Sequence, residues 1–291
     1  MKKVFFSVLG CCLIIAMQAQ EQVVVTYQFG QQISVNTGVP DQKEIGKASM
    51  EFIYDYRYLT DITDVTAEST DLMILQVSDK MSKFTSYRGM QIDSLMRAST
   101  SDQISANPSK YVGGETFSIY KNYPSGKFTT TDKISTDWFL YEEDIPVQEW
   151  ILDNDSTKEI LGYTCRRAEC DFRGRKYIAW YSDEIPVADG PWKFNGLPGF
   201  IFEVSDSEGH YKFTLVGINS NAARDITMPD VQFNKTTRNK FYNTKRRYDT
   251  DPFGYMSAVS GINVIVSTPD GTPSQDMQPR KLPYDYIERD N

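Results

Sequence analysis

Histidine and cysteine are scarce in this sequence. Its 291 residues contain one histidine, His210, and four cysteines, two of which lie near the N-terminus. Zinc sites draw on clusters of histidine and cysteine, and general bases are most often histidine, so this shortage argues against a zinc enzyme. No serine stands in a G-x-S-x-G elbow, and no glycine-rich loop has the strand–loop–helix context of a phosphate cradle. We therefore expect no metal, no cofactor and no familiar catalytic motif, and we interpret His210 as an exposed turn residue.

Long apolar runs are also missing, apart from one at the N-terminus. Lys2 and Lys3 precede an apolar run at 4–17, and small and polar residues follow. This order is typical of a secretory signal peptide, and the run is shorter than the roughly 20 apolar residues of a membrane span. We expect cleavage after Ala19 and export to the periplasm, the outer membrane surface or the extracellular space. The mature chain is then expected to have no transmembrane span, and lipid attachment at Cys11 is the alternative.

Positive charge is in short supply. The sequence has 31 Lys and Arg against 39 Asp and Glu, and its formal net charge is −8 at pH 7. Loss of the signal peptide removes two lysines and makes the mature chain more acidic. Such a balance argues against nucleic acid as a partner. We expect a signal peptide at 1–19, one β-rich domain at 20–270 and a polar tail at 271–291, extended or partly disordered.

Only Cys165 and Cys170 remain after the predicted cleavage. Both lie in "GYTCRRAECDF", which has the pattern of one strand. Five extended residues span roughly 16 Å, whereas the Cα atoms of a disulfide lie within about 7 Å. We predict two mostly buried thiols without a disulfide between them.

Aromatic residues are abundant, at 13% of the chain. In "MEFIYDYRYLT" (50–60) they alternate with polar residues, which is the pattern of a half-buried strand. Similar strand patterns occur at 22–29, 71–78, 80–88, 114–134, 147–172, 176–186 and 199–218. Hairpin turns are predicted at Pro124–Gly126 and Asp153–Thr157. Because the links are short, we predict a mainly β fold with a single curved antiparallel sheet or half-barrel, similar to lipoprotein carriers by fold analogy alone.

Two accessory helices are predicted, at 89–104 and 236–250. The second has a threonine N-cap candidate, and Pro252 stands just beyond its end. It is strongly basic, and its candidate partner-binding residues are Arg238, Lys240, Lys245, Arg246 and Arg247. One interpretation is a solvated face that balances an acidic protein. The other is a binding surface for the phosphate or carboxylate groups of a partner.

The stretch "GPWKFNGLPGF" (190–200) combines large rings with glycine and proline. Pro198 followed by Gly199 predicts a type II turn, with positive φ at the glycine. Either the rings fill one end of the core, or they line a ligand cleft in which Lys193 is a cationic group. Under the second interpretation the candidate ligand-binding residues are Trp180, Trp192, Lys193, Phe194, Gly196, Leu197, Pro198, Gly199 and Phe200.

The region 161–204, which contains "GLPGFI", closely resembles the hallmark of the GLPGLI family (Porph_ging) of exported proteins in Gram-negative bacteria. Phe200 replaces the usual leucine. The resemblance covers roughly residues 148–218, "SKFTSYRGMQIDSL" is similar to an upstream signature, and "KLPYDYIE" is similar to the usual ending. It implies export and a β-rich fold, but it supplies no catalytic residues.

Two classes of function stay open at this point. The first is a non-enzymatic binding or structural protein of the envelope or cell surface, with a peptide, lipid or protein ligand. The second is a carboxylate-based hydrolase, because acids are numerous and two of them can face each other across a cleft. The acids considered for this role are Glu142, Glu143, Asp144, Asp183, Glu184, Asp189 and Glu203.

Overall fold

The computed structural model describes residues 24–29, 39–260, 262–267 and 281–289, so the predicted signal peptide lies outside the described residues. The described chain is mainly β, as predicted. The strands are β1 (Val24–Phe29), β2 (Gln42–Lys47), β3 (Met50–Leu59), β4 (Glu68–Val77), β5 (Ser82–Ser86), β6 (Ser118–Lys121), β7 (Lys127–Ile134), β8 (Asp137–Asp144), β9 (Ile151–Ile160), β10 (Tyr163–Phe172), β11 (Arg175–Ser182), β12 (Phe200–Asp206), β13 (Tyr211–Asn219), β14 (Asp225–Pro229), β15 (Asn234–Thr236) and β16 (Ile262–Ser267).

Twelve of these strands form one large sheet. Its order is β15-β8-β7-β6-β5-β4-β3-β13-β12-β11-β10-β9. Every neighbouring pair is antiparallel except β15 and β8, which run parallel. The sheet is not closed into a barrel, because β15 and β9 end it without pairing to each other. Two smaller sheets pair β1 with β16 and β14 with β2.

The hairpin of β9 and β10 turns later than predicted. The chain reverses at Leu161 and Gly162, which both have positive φ (53° and 82°), as a two-residue hairpin turn requires. The predicted turn at Asp153–Thr157 is wrong, because that segment lies within β9. The register steps there from Thr157 to Asp153 against two adjacent residues of β10, which makes it a bulge. The polar residues that suggested a turn serve the bulge instead, since Asp153 accepts hydrogen bonds from the amides of Asp155 and Ser156.

The helices are α1 (Tyr87–Arg97), α2 (Ser101–Ala106), α3 (Arg238–Thr250) and α4 (Pro252–Ser260). The predicted helix at 89–104 is two helices, because Thr100 and Gln103 form a capping box that starts a new one. Thr237 caps α3 as predicted, but the helix α4 that begins at Pro252 was not predicted. None of the described helices is long and apolar enough to cross a membrane.

The alternating pattern of β3 produces the core. Phe52, Tyr54 and Tyr56 point to the same side and are buried, whereas Arg57 between two tyrosines is exposed. The central strands β5, β6 and β7 are buried on both faces. The small sheet of β2 and β14 covers the second face of these central strands, because Ile226 of β14 packs in one cluster with Tyr120 of β6.

Candidate functional site

Residues 190–200 lie in the long connection from β11 to β12, and several of their side chains pack into the hydrophobic core. Trp192, Phe194 and Phe200 are buried, with 3%, 0% and 0% exposure. Phe194 meets Tyr177 of β11 edge-on, with ring centroids 4.7 Å apart, and Phe200 stacks on Phe52 of β3 at 3.9 Å. Each such ring removes on the order of 150–250 Å² from water. These rings therefore belong to the core, as the core interpretation expects, and are not available on the surface.

Gly199 marks the point where the backbone of the loop comes closest to the sheet. Its φ is 149°, which confirms the predicted positive value but differs from the roughly 80° of a type II turn. The turn is tighter, because the Gly199 amide donates to the carbonyl of Leu197, two residues earlier. A Cβ atom at Gly199 would lie 2.3 Å from the carbonyl oxygen of Ser182. The glycine is required by this close approach as well as by its φ.

The other candidate ligand residues are scattered. Leu197 is buried, whereas Gly196, with a φ of 85°, and Pro198 are exposed. Trp180 lies on the opposite face of β11 from the buried residues of that strand, because side chains alternate along a strand. There Lys158 lies over its ring, 4.4 Å from the centroid. Trp180 is therefore not brought together with the loop.

Side chains of the sheet hold the loop by its backbone. Lys121 of β6 donates to Asp189 Oδ1 at 2.6 Å and to the carbonyls of Gly190 and Phe194 at 2.6 and 3.0 Å. Ser82 of β5 donates to the other oxygen of Asp189 at 2.6 Å. Burial lowers the pKa of Lys121, and the charge of Asp189 only partly offsets this effect. The three acceptors use all the donors of the ammonium group, so this pair is structural.

Two side chains just before β9 hold the loop from another side. Gln148 Nε2 donates to the carbonyl of Lys193 at 2.8 Å, and its oxygen accepts from the amide of Asn195. Trp150 Nε1 donates to the carbonyl of Asn195 at 2.8 Å. The main chain around Lys193 is therefore fixed, which fixes the direction of its side chain.

The Lys193 ammonium group occupies a buried charge cluster. Its Nζ atom lies 2.5 Å from Glu143 Oε1 of β8, 2.5 Å from Glu288 Oε1 of the C-terminal segment and 3.3 Å from the hydroxyl of Tyr141. Lys193 is 1% exposed and Glu288 is fully buried. Burial opposes the charge of Lys193, but its two carboxylate partners outweigh burial and hold its pKa above the usual value.

Two arginines complete the charge cluster. Arg173, in the turn after β10, bonds to Glu143 and lies 3.5 Å from Glu288 Oε2. Arg238, the first residue of α3, donates to Glu288 Oε2 at 2.8 Å. Burial raises the pKa of Glu288. Lys193 and the two arginines lower this pKa by more than burial raises it, so the net shift is downward. Three cations thus share two carboxylates, and loss of one partner from such a buried group costs about 3–5 kcal/mol.

The cluster joins parts of the sheet that are far apart in its order. Strand β8 is second in the sheet and β10 is eleventh. In a flat sheet these strands would lie about 43 Å apart, at roughly 4.8 Å per step. Nevertheless Arg173, directly after β10, bonds to Glu143 of β8. The loop residue Lys193 lies at this junction and bonds to the same carboxylate.

The five candidate partner-binding residues of α3 fall into two groups. Arg238 points into the charge cluster, and Lys245 is half-buried. Lys240, Arg246 and Arg247 are exposed. Burial disfavours the charge of Lys245, but Asp132 and Asp249 outweigh it, so its pKa is raised. The helix is therefore not a uniform basic surface, because two of the five cations neutralise acids of the domain.

A cavity of about 490 Å³ opens beside Arg246, one of the exposed cations of α3. It lies between the last turn of α3 and the C-terminal segment. Its lining residues are Arg246, Thr250, Lys281, Leu282, Tyr284, Asp285, Tyr286, Glu288 and Arg289. The Arg246 guanidinium group lies over the ring of Tyr286, 5.4 Å from its centroid. Within the described part of the chain, neither Arg246 nor Lys281 makes an ion pair.

A second cavity, of about 300 Å³, lies beside the 190–200 loop. Its lining is mostly apolar and includes Val77, Met81, Phe128 and Val187. The polar residues at this cavity include Lys121 and Asp189, which already satisfy each other. The second cavity therefore suits a charged ligand less well than the first cavity, because its lysine and its aspartate are paired with each other.

The acids considered from the sequence do not form a site. Four of them, Glu142, Asp144, Asp183 and Glu184, are exposed. Each of the remaining three is paired with a buried or half-buried cation: Glu143 with Lys193, Asp189 with Lys121 and Glu203 with Lys158.

One group of possible metal ligands occurs among the described residues, formed by Asp206, Glu208 and His210. Arginines already occupy its carboxylates. Arg175 donates to Asp206 at 2.8 Å, and Arg289 forms two bonds of 2.6 Å to Glu208. His210 is half-buried against Arg175 rather than exposed as predicted, because the turn folds back on this ion pair. We assign no metal to the group.

Cys165 and Cys170 are free and buried, as predicted. Both lie on β10, and burial raises the pKa of each thiol to about 12. A thiol with such a pKa is a poor nucleophile at neutral pH. These cysteines therefore serve the core.

Sequence reasoning missed the main partner of Lys193. Glu288 lies in the tail that was expected to be extended or partly disordered. The described part of that tail, 281–289, contains no helix or strand, but it is packed against the domain, and Glu288 has no exposed surface. The available signal was the family-like ending "KLPYDYIE", which contains this glutamate.

The protein is thus a mainly β protein with one large open sheet, a 190–200 loop whose rings pack into the core, and a buried charge cluster. A family model described as "Protein of unknown function (Porph_ging)" matches residues 171–203. This match confirms the resemblance to the GLPGLI family for the segment that contains the whole loop. No curated protein matches the sequence.

Two solved structures share a weak likeness with the chain. The structure of PNGF-II in space group P21 has a TM-score of 0.44 at 10% identity, and the match covers 68% of this chain and 33% of that chain. The structure of PNGF-II in space group C2 has the same TM-score and identity, with 67% and 32% coverage. The chain spans about a third of the length of these structures. A likeness at this level supports no statement about function.

Proposed function

We propose that this chain is an exported protein of the cell envelope or cell surface that binds a peptide, lipid or protein partner and does not catalyse a reaction. The observation that carries the proposal is the 490 Å³ cavity between α3 and the C-terminal segment. It combines Arg246 and Lys281, which make no ion pair with another described residue, with the tyrosines 284 and 286. This combination suits a partner that presents a carboxylate or phosphate group beside an apolar surface.

The shape of the sheet is a second part of the proposal. We infer that the sheet curves into a half-barrel like that of lipoprotein carriers, because β8 and the end of β10 meet at Glu143 and Arg173. Packed rings such as Phe194 and Phe200 occupy the space inside this half-barrel that a lipid chain would need. The ligand therefore binds at the 490 Å³ cavity between α3 and the C-terminal segment, called the outer cavity below, and not inside the sheet.

Photo-crosslinking tests the cavity. A benzoylphenylalanine at Leu282, which lines the cavity, is introduced into the full chain in its host. The expected result is a defined adduct that is lost in Arg246→Glu and kept in Lys240→Glu. Lys240 is the matched control, because it is also an exposed cation of α3 but does not line the cavity. Absence of an adduct, or the same adduct in both variants, contradicts the proposal.

Export is tested independently of binding. N-terminal sequencing of the protein recovered outside the cytoplasm is expected to begin at Gln20. Recovery of the chain in the cytoplasm with Met1 intact contradicts export, whatever the crosslinking shows.

A carboxylate-based hydrolase is the second candidate, and one observation favours it. Glu115 is half-buried, its amide bonds to Asp71 at 2.8 Å, and burial raises its pKa to about 7. The pKa of the nearby Asp132 is also raised by burial. An acid with a pKa near 7 suits a general acid. A panel of nitrophenyl glycosides and esters tests this candidate: hydrolysis must be lost in Glu115→Gln and kept in Glu149→Gln, where the altered glutamate is exposed.

A further inference from the structure

Residues 281–289 are held in the manner of a bound peptide. The segment has no helix or strand, and the domain supplies donors to four of its carbonyl oxygens. These bonds run from the amide of Ile62 to Pro283 (2.8 Å), from the hydroxyl of Tyr211 to Asp285, from Arg175 to Tyr286 (2.9 Å) and from the hydroxyl of Tyr177 to Ile287 (3.3 Å). An extended segment whose backbone accepts hydrogen bonds from the surrounding domain is typical of peptide recognition.

Two side chains of the segment provide specificity. Tyr286 packs edge-on against Tyr242 of α3, with centroids 5.7 Å apart, and its hydroxyl donates to Asp249 at 2.7 Å. Two residues later, Glu288 enters the pocket formed by the cations of the charge cluster. An apolar anchor and a buried carboxylate at this spacing define the sequence that the groove accepts, tyrosine-x-glutamate.

The connection to the segment is long. Residues 268–280 separate β16 from residue 281, and a chain of this length reaches up to roughly 45 Å when extended. The segment is thus a ligand on a tether, and a ligand of identical sequence fits the same groove with the same contacts. Exchange of an identical element between two copies costs little, because no new contact has to be formed.

We propose that this groove is a peptide-binding site and that its partner in trans is the C-terminal segment of a second copy of this chain. The segment of the same copy occupies the groove at low protein concentration, since a ligand linked to its site within one chain acts at an effective concentration that dilution does not lower. Exchange between copies is expected where the protein is crowded, as on a membrane surface. Lys193 of the 190–200 loop then receives Glu288 of the partner copy.

A peptide titration on the full chain tests the groove. The labelled peptide KLPYDYIERDN, residues 281–291, is added to the wild type and to Glu288→Gln, whose own segment has lost its anchoring charge. Fluorescence anisotropy is expected to show binding at least ten-fold tighter to the variant. The same peptide with glutamine in place of its glutamate is expected to bind the variant at least ten-fold more weakly. Equal binding of both peptides, or no binding to either protein, overturns the proposal.

A second measurement does not depend on how Glu288→Gln folds. One copy carries Ile62→Cys and another carries Pro283→Cys, since these backbones are joined by a hydrogen bond. On mixing at high concentration under mild oxidation, disulfide-linked heterodimers are expected. The control pair replaces Pro283→Cys by Val147→Cys, at an exposed residue of the domain. Heterodimers no more abundant than with the control pair overturn exchange, and neither experiment depends on the ligand of the outer cavity.

Discussion

Replacement of Gly199 by alanine tests whether the tight corner of the loop depends on close backbone contact. The new methyl group would lie 2.3 Å from the carbonyl oxygen of Ser182 and 2.9 Å from the Cα atom of Asp183. Both neighbours are backbone atoms, so no side-chain rotation relieves the contact. The unfavourable φ contributes about 1–2 kcal/mol, and overpacking contributes about 1–3 kcal/mol more. We expect Gly199→Ala to lower the free energy of unfolding by about 2–5 kcal/mol.

The measurement is urea unfolding of Gly199→Ala beside a matched control, Gly209→Ala. Gly209 also has a positive φ, of 75°, but a Cβ atom there meets nothing within 4 Å. The control therefore carries the backbone cost alone, about 1–2 kcal/mol. A clear excess in Gly199→Ala measures the close contact with Ser182. Equal losses in the two variants would refute the reasoning about this corner.

Three further predictions concern the core and one half-buried acid, Glu115. Trp192→Ala is expected to lose about 3–5 kcal/mol of stability, and a thermal melt like that of the wild type would contradict its place in the core. Cys165 and Cys170 are expected to react with an alkylating agent in denaturant without reductant; a mass 2 Da below the dithiol mass and no labelling would reveal a disulfide. The pKa of Glu115 is raised by burial from 4.5 to about 7, so the folded state binds its proton more tightly than the unfolded state does. Stability is therefore lost as pH rises from about 4.5 to 7, and Glu115→Gln should gain up to ~3 kcal/mol at pH 8 and little at pH 4, whereas Glu149→Gln should change neither. A Glu115→Gln gain that is independent of pH would contradict this assignment.

The sequence predicted the strands well because their pattern is local. Alternating rings such as Tyr54 and Tyr56 identify a strand and its buried face from neighbouring residues alone. Turn positions were harder, because Asp153 and Ser156 have turn chemistry and yet form a bulge. The hairpin instead turns at Leu161–Gly162, where only the glycine is a turn signal.

The charge cluster could not be predicted from local pattern. Lys193 and Glu288 are 95 residues apart, and a lysine between two rings has the same local sequence whether it faces solvent or a buried carboxylate. A polar tail also has the composition of a solvated segment. Only the fold shows that the tail passes over this lysine. The resemblance of the last residues to a family ending was the one sequence feature that singled them out.

A double-mutant cycle between Lys193 and Glu288 tests most directly whether the 190–200 loop receives the C-terminal segment through a buried ion pair. Urea unfolding is measured for the wild type, Lys193→Met, Glu288→Gln and the double variant. Each single change leaves buried charge without its partner and is expected to cost about 3–5 kcal/mol. The double variant is expected to be more stable than two independent losses allow, with a coupling of at least ~1 kcal/mol. Losses that add independently would contradict the ion pair, and with it the role assigned to the loop.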